Sequence, residues 1–201
     1  AEEKYGGAGL DATACAIVHE ELSASDPGFA LAYLAHSMLF VNNLSFNGTE
    51  EQKARILPQV CSGEWIGAMA MSETDVGTDV LGLSTTAKQQ QDGTWKINGR
   101  KMWITNATQA DWICLLANTS DEGVHHNKSL IVVPTDLPGF SVGPKLDKLG
   151  MRSSDTAQIF LDDVRVPQRY RIGEEGKGFS YQMQQFQEER LSCISSIRPL
   201  E

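Results

Sequence analysis

Cysteine is scarce in this sequence and the few copies are scattered. Cys15, Cys61, Cys114 and Cys193 form no C-x-x-C pair and no Cys/His cluster. That excludes a zinc-finger site or a disulfide framework and fits a reducing, intracellular compartment. Basic residues are also in short supply: 17 Lys and Arg stand against 26 Asp and Glu, a formal net charge of −9. This excess excludes nonspecific binding to nucleic acid or to an anionic membrane. It leaves room for a polyanionic ligand held by local amides and a few basic groups. A long apolar run is missing as well. The longest, Phe29 to Val41, has 13 residues and contains His36 and Ser37, which is short for a bilayer span. There is no initiator Met and no targeting pattern, so the sequence is expected to be an internal piece of a longer chain. Five N-x-S/T triplets, at Asn43, Asn47, Asn106, Asn118 and Asn127, are read as chance without a secretory signal. What is present is 201 residues, 41% hydrophobic and 21% charged, enough for one or two packed domains.

The texture changes twice along the chain. Residues 1–63 read as helical: Ala14 to Leu22 is amphipathic, Ser25-Asp26-Pro27-Gly28 breaks it, and Phe29 to Leu44 is apolar nearly all round, as in a buried helix. Thr49 and Gln52 make a capping box for a helix from Glu50. Residues 64–174 are β-rich. Leu83–Gln90 and Thr94–Ile97 flank Asp92-Gly93, a hairpin signal, and Asn98-Gly99 reads as a second turn. Strands are expected at Lys101–Thr105, Trp112–Ala117, Leu130–Val133, Phe140–Val142 and Ala157–Leu161, as an antiparallel sandwich or barrel. Residues 175–201 return to a helical register, with Phe179, Met183, Phe186, Arg190, Cys193 and Ile197 on one face. The fold class is therefore α+β: a helical N-terminal part, an antiparallel barrel-like middle domain and the start of a C-terminal helical bundle.

Three constellations carry chemistry. In Met69-Ala70-Met71-Ser72-Glu73-Thr74-Asp75-Val76-Gly77-Thr78-Asp79 a strand runs into a polar turn, whose N–H groups suit an anion nest and whose Ser72 and Thr78 hydroxyls suit a phosphate or a heterocycle edge. In Lys101 to Asn106, Trp103 sits beside Thr105, an indole suited to packing on another planar ring. In Phe186-Gln187-Glu188-Glu189-Arg190-Leu191, at about 100° per residue, Glu188 lies about 170° from the apolar face, in solvent. Glu189 lies about 70° from it, and Arg190 within it. A carboxylate at such an edge has a raised pKa, suited to a general base. His125-His126 lacks metal-site spacing and reads as an exposed tip. Gly173-x-x-Gly176-x-Gly178 reads as a loop, and Lys145, Lys148 and Arg152 as surface charge able to help neutralise a phosphorylated ligand.

These segments together resemble the flavin-dependent acyl-CoA dehydrogenase family in residues, order and spacing. Carrying the resemblance are Tyr5-Gly6-Gly7-x-Gly9, Gly48-Thr49-Glu50-Glu51-Gln52-Lys53, Pro58, Met71-Ser72-Glu73-x-x-x-Gly77-Thr78-Asp79-Val80, Asn98-Gly99-x-Lys101-x-Trp103-Ile104-Thr105-Asn106, Lys145 to Arg152, Asp155-Thr156, Val164-x-Val166-Pro167 and Gly178-Phe179. Ala35-His36-Ser37 and Lys145–Arg152 point to the isovaleryl-CoA branch, and Gln187 to Leu191 to that and the long-chain branch. The resemblance implies FAD, with the ring against Met69, Ala70, Met71, Ser72, Gly77, Thr78, Trp103, Ile104 and Thr105. It implies Glu189 as the base taking the α-proton of a saturated acyl-CoA while hydride leaves the β-carbon for the flavin, giving a trans-2-enoyl-CoA. Thr78, Gln187, Glu188, Glu189 and Arg190 would contact substrate. It further implies an electron-transfer flavoprotein as acceptor, a dimer of dimers for the full-length protein, and a mitochondrial matrix or bacterial cytoplasm. An acyl-CoA oxidase or flavin monooxygenase on the same scaffold, or a non-catalytic module, are the other readings.

The sequence departs from the family in three places. The usual Glu-Pro-x-x-Gly-Ser-Asp becomes Glu73-Thr74-Asp75-Val76-Gly77-Thr78-Asp79, losing a fixed φ and placing Asp75 near the expected pyrophosphate. Position 180 is Ser where the close branches often have Tyr. The length is about half the family's, so the fragment alone is expected to be weakly active and to self-associate through an open apolar helix face.

Overall fold

The computed structural model describes residues 1–195, with side chains through Arg190. Helix α1, Ala12–Ser25, is longer at both ends than expected; Asp11 caps its start through Ala14 N–H at 3.0 Å. Asp26 then accepts from Gly28 and Phe29 N–H and restarts the chain as α2, Pro27–Leu34. A wider π-helical stretch, Ala35–Val41, and α3, Asn42–Asn47, continue it without a break. The whole 21-residue rod, longer than its apolar run, passes for a membrane span by length and composition. In the fold it packs along β1, α1 and α5 as a core helix. Thr49 and Gln52 form the expected capping box of α4, Glu50–Ser62.

Eight strands follow: β1 Gly67–Ala70, β2 Thr86–Gln89, β3 Thr94–Thr105, β4 Trp112–Asn118, β5 Lys128–Pro134, β6 Phe140–Val142, β7 Thr156–Pro167 and β8 Arg171–Ile172. Their order is β6-β7-β3-β2-β4-β5-β8, with β1 added beside β4. Two expectations need correction. Among the described residues the sheet is open, since the end strands β6 and β8 do not pair with each other, so it is not a closed barrel. It is also mixed, because β1 runs parallel to β4 and β2 meets β4 in parallel at Thr86. Apolar alternation shows which face is buried and carries no strand direction.

The Asp92-Gly93 hairpin joins β2 to β3, but β2 begins only at Thr86, since residues 80–82 form a 3-10 turn. Asn98-Gly99 is no turn. β3 runs straight through it, with a register shift against β7 between Ile97 and Gly99. A bulge satisfies the same local residues as a turn. Here the Asn98 amide donates to Asp163 at 2.9 Å and its oxygen accepts the Asp163 N–H, which stitches the bulge to β7.

The sheet and the rod are fastened by two polar side chains. His36 accepts the Gly67 N–H at Nδ1 and donates from Nε2 to the Val60 carbonyl, both at 2.9 Å. Asn106, in a left-handed conformation and buried, donates to the carbonyls of Ala32 and Gly67. Its amide is thereby committed, and an N-x-T triplet there has no exposed acceptor. Gly67 itself is fixed by packing: a Cβ would lie 2.3 Å from the Phe40 ring. Helix α5, Gly178–Ser195, begins where the helical register predicted and closes over this junction.

Candidate active site

A cleft of about 210 Å³ opens where α5 crosses the end of β1 and β3. Its sheet side is made by Met69, Met71 and Ser72 and by Trp103, Ile104 and Thr105. Its helical side is made by Ala35 and Leu39 of the π-helical stretch and by Gln182, Phe186 and Glu189 of α5. Two regions 30 residues apart in the expected cofactor set and a third on the last helix are thus brought to one cavity.

Trp103 is 61% exposed and has φ 64°, a left-handed backbone for a bulky residue. It falls in the second register shift of β3, between Lys101 and Ile104. Local strain of this kind persists where the surroundings impose it, and it clusters at binding sites. The shift turns the indole out of the sheet, so it is no core tryptophan.

The same sheet side is pinned by a buried ion pair. Lys101 Nζ donates to Glu73 Oε1 at 3.0 Å and to the Met71 carbonyl at 2.8 Å. Glu73 also accepts from Ser84 N–H and Oγ–H and from Thr85 N–H, at 2.6–2.9 Å. Burial works against ionising Glu73, but the Lys101 charge and the hydrogen bonds overcome it and hold the pKa down to about 2. Burial lowers Lys101 to about 8 against the pull of Glu73. The pair locks Met71-Ser72 to β3, reinforced by Met102 N–H donating to the Ser72 carbonyl at 2.9 Å. A signal was available: Trp95, Ile97 and Lys101 are buried positions of one strand, and a lysine there requires a partner.

Helix α5 departs from the wheel. Among its residues described through Arg190, Gly178, Gln182 and Gln185 are buried, while Phe179, Met183 and Phe186 are half-buried and Arg190 is exposed. Arg190, expected within the apolar face, lies over the Phe186 ring and donates to the Phe186 carbonyl. Glu188, expected in solvent, accepts from Asn42 Nδ2 at 3.2 Å. The packed face of α5 is rich in amides, so a wheel centred on apolar residues points to the wrong side. Glu189 nevertheless lines the cleft, and burial raises its pKa over the opposing pull of Arg190. Ile197 lies outside the described residues, and so does the side chain of Cys193.

The other residues expected at the site lie elsewhere. Ala70 is fully buried, paired to Leu115 in the sheet behind the cleft. Gly77 and Thr78 are exposed beyond a tight Glu73–Val76 turn and do not line the cleft; Gln187 is exposed too. No residue from 72 to 92 has positive φ, so the alternating backbone of an anion nest is not formed there. Lys148 donates to Ser154 and Thr156, Lys145 donates to the Arg152 carbonyl, and Arg152 pairs with Asp147, so these cations serve their own loop. His125 and His126 are exposed on a turn, with the His125 ring near Phe179.

This arrangement of helices, open mixed sheet and cleft has close counterparts. Residues 1–64 match the family model of the acyl-CoA dehydrogenase N-terminal domain, and residues 68–164 that of the middle domain. The chain belongs to the acyl-CoA dehydrogenase family. It is 40% identical to the mitochondrial isovaleryl-CoA dehydrogenase of Arabidopsis thaliana, over 99% of this chain and 51% of that protein. It is also 40% identical to the mitochondrial long-chain specific acyl-CoA dehydrogenase of Mus musculus, over 94% of this chain and 44% of that protein. A solved acyl-CoA dehydrogenase from Bacillus anthracis, complexed with FAD, superposes with a TM-score of 0.91 at 34% identity, covering 97% of this chain and 33% of that one. The chain spans about half the length of the curated relatives it matches.

Proposed function

We propose that the protein containing this chain is an FAD-dependent acyl-CoA dehydrogenase whose α-proton base is Glu189. The observation that carries this is one cleft bounded by a desolvated carboxylate on a helix and an outward-turned indole on the sheet. The residues present suit a planar cofactor. Trp103 offers an uncovered ring face, Met69 and Met71 offer polarizable side chains, and Ser72 and Thr105 offer hydroxyls to a heterocycle edge. When bound, FAD supplies the two-electron acceptor for the β-hydrogen.

The chain's own residues supply the rest. Ala35, Leu39 and Phe186 make an apolar wall that excludes water from the acyl chain. The Glu73–Lys101 pair fixes Met71 and Ser72 against β3. Glu189 takes the α-proton at its carboxylate. Its elevated pKa makes it a stronger base than an exposed glutamate, and the Arg190 charge beside it opposes the rise. The enoyl thioester is the product, and an electron-transfer flavoprotein is the proposed electron acceptor. A mitochondrial matrix suits a eukaryotic source, by the named relatives, and a cytoplasm a bacterial one.

The test is Glu189→Gln in the intact protein, with flavin absorbance and turnover of acyl-CoA thioesters measured together. Flavin should stay bound while turnover falls about 10²- to 10⁴-fold, the usual contribution of a general base. In the wild type, turnover should fall as pH drops through the raised Glu189 pKa, because the protonated carboxyl accepts no proton. Unchanged turnover in the variant removes Glu189 from the mechanism.

A further inference from the structure

Gln182 is fully buried and lines the cleft, and among the described residues neither its amide nitrogen nor its amide oxygen has a hydrogen-bond partner. Gln185, one turn on, is buried as well with its amide nitrogen unpartnered, but it does not line the cleft. Buried side-chain amides are nearly always paired, because an unpaired one forfeits its bonds to water for nothing in return. An alanine or leucine at position 182 would fill the same wall of Ala35, Leu39 and Phe186 without that penalty. The amide therefore needs a function that an apolar residue lacks.

Its place on the helix indicates which part of a ligand it meets. Gln182 and Glu189 are seven residues apart, which is about 700° of rotation and about 10 Å of rise. They stand nearly in line on one side of α5, two turns apart, on the same cleft. On the dehydrogenase reading, with Glu189 at the α-carbon, a group held by Gln182 would lie about 10 Å along the cleft from the reacting carbon. Its company also indicates the charge of the group it takes. Among the described residues the cleft lining holds no lysine or arginine, and it already contains the Glu189 carboxylate. A second carboxylate on the substrate would be repelled, whereas a neutral group able to donate and accept at once matches both halves of the amide.

We propose that the acyl slot selects chains bearing a neutral hydrogen-bonding group, a hydroxyl or an amide, and that Gln182 is the residue that recognises it. This rests on the dehydrogenase reading and deepens it by naming the substrate class.

The experiment uses the intact flavin-loaded protein and ω-hydroxyacyl-CoA thioesters of graded length, each matched to a straight-chain thioester with the same number of heavy atoms. At one length the hydroxyacyl thioester should be preferred about tenfold or more in kcat/KM, since its methyl counterpart leaves a buried amide unpaired. Gln182→Leu and the near-isosteric Gln182→Met should both invert that preference, with flavin absorbance reporting that each variant is folded. Calorimetric binding of the two enoyl products, which undergo no turnover, should show the same order. A preference for the methyl chain at every length, or a ratio unmoved in both variants, overturns the proposal and leaves the dehydrogenase reading standing. Absence of turnover with every thioester overturns that reading itself, and this one with it.

Discussion

Strands β4 and β5 each put six consecutive residues into the interior, all apolar in β4 and apolar from Leu130 to Val133 in β5. Helix α5, which closes the cleft, buries Gln182 and Gln185, holds Glu189 at the cavity and leaves Arg190 outside. Strand β3 contains both behaviours. Its first part, Thr94 to Ile97, pairs in register with β2 and β7; its second part shifts register twice and turns Trp103 outward at positive φ. Regular geometry with apolar filling builds the frame. At the cleft, the irregular part of β3 meets the buried amides of α5. The difference predicts a separation of effects: frame substitutions lower stability, and cleft substitutions lower binding or turnover at little cost in stability.

The hardest test of that separation is the ion pair, because it belongs to both regions. Glu73→Gln leaves Lys101 fully buried without its counter-charge, and a broken buried pair of this kind destabilises by about 3–5 kcal/mol. Thermal or denaturant unfolding of the protein measures it. The sign with pH follows from the low Glu73 pKa. The pair's contribution is complete above the ordinary glutamate value of 4.5 and is lost as pH falls through about 2. Acid unfolding of the wild type should steepen across that window, and Glu73→Gln should flatten it. A variant as stable as wild type at neutral pH would show that the pair is dispensable to the frame.

Gly99→Ala tests the bulge with a smaller expected effect. A Cβ there would lie 2.3 Å from Thr85 Oγ1 and 2.8 Å from Thr85 Cα, at φ +156°. Backbone cannot yield as a side-chain tip does, so a loss of about 1–3 kcal/mol is expected by the same measurement. A loss near zero would mean that β2 and β3 are free to separate at the bulge.

The same division explains what could be read from the residues alone. The capping box at Thr49, the hairpin at Asp92-Gly93, the start of α5 at Gly178 and the buried runs of β4 and β5 each follow from a local rule, so they were legible. Strand direction was not, because residues 67–70 and 112–115 read the same whether β1 and β4 run parallel or antiparallel. The bulge at Asn98-Gly99 shares its residue types with a turn, and only the Asp163 contact, 65 residues away in sequence, distinguishes them. In the site, the wheel and the family resemblance both single out Glu189, yet the wheel's apolar axis is displaced, as Arg190 and Glu188 show. The position of Glu189 at the cleft follows from packing by Gln182 and Gln185, which hydrophobicity scores count as surface. Lys101 belongs to a motif that carries the family resemblance, yet its burial becomes evident only when period-two alternation is carried through β3.

Trp103→Gly carries the smallest expected change in stability and separates the two regions most sharply. The left-handed backbone disfavours any residue with a Cβ by about 1–2 kcal/mol, and glycine adopts it freely while losing about 0.5–1 kcal/mol more chain entropy on folding. The indole is mostly exposed, so little apolar burial is lost with it. Stability of the flavin-free protein should therefore stay unchanged or rise by up to about 1 kcal/mol. Flavin content after purification should fall, because the ring loses the aromatic face it is proposed to stack against. If the variant instead unfolds more easily and keeps its flavin, Trp103 belongs to the frame, and its strain is an accident of the β3 register shift with no bearing on the cleft.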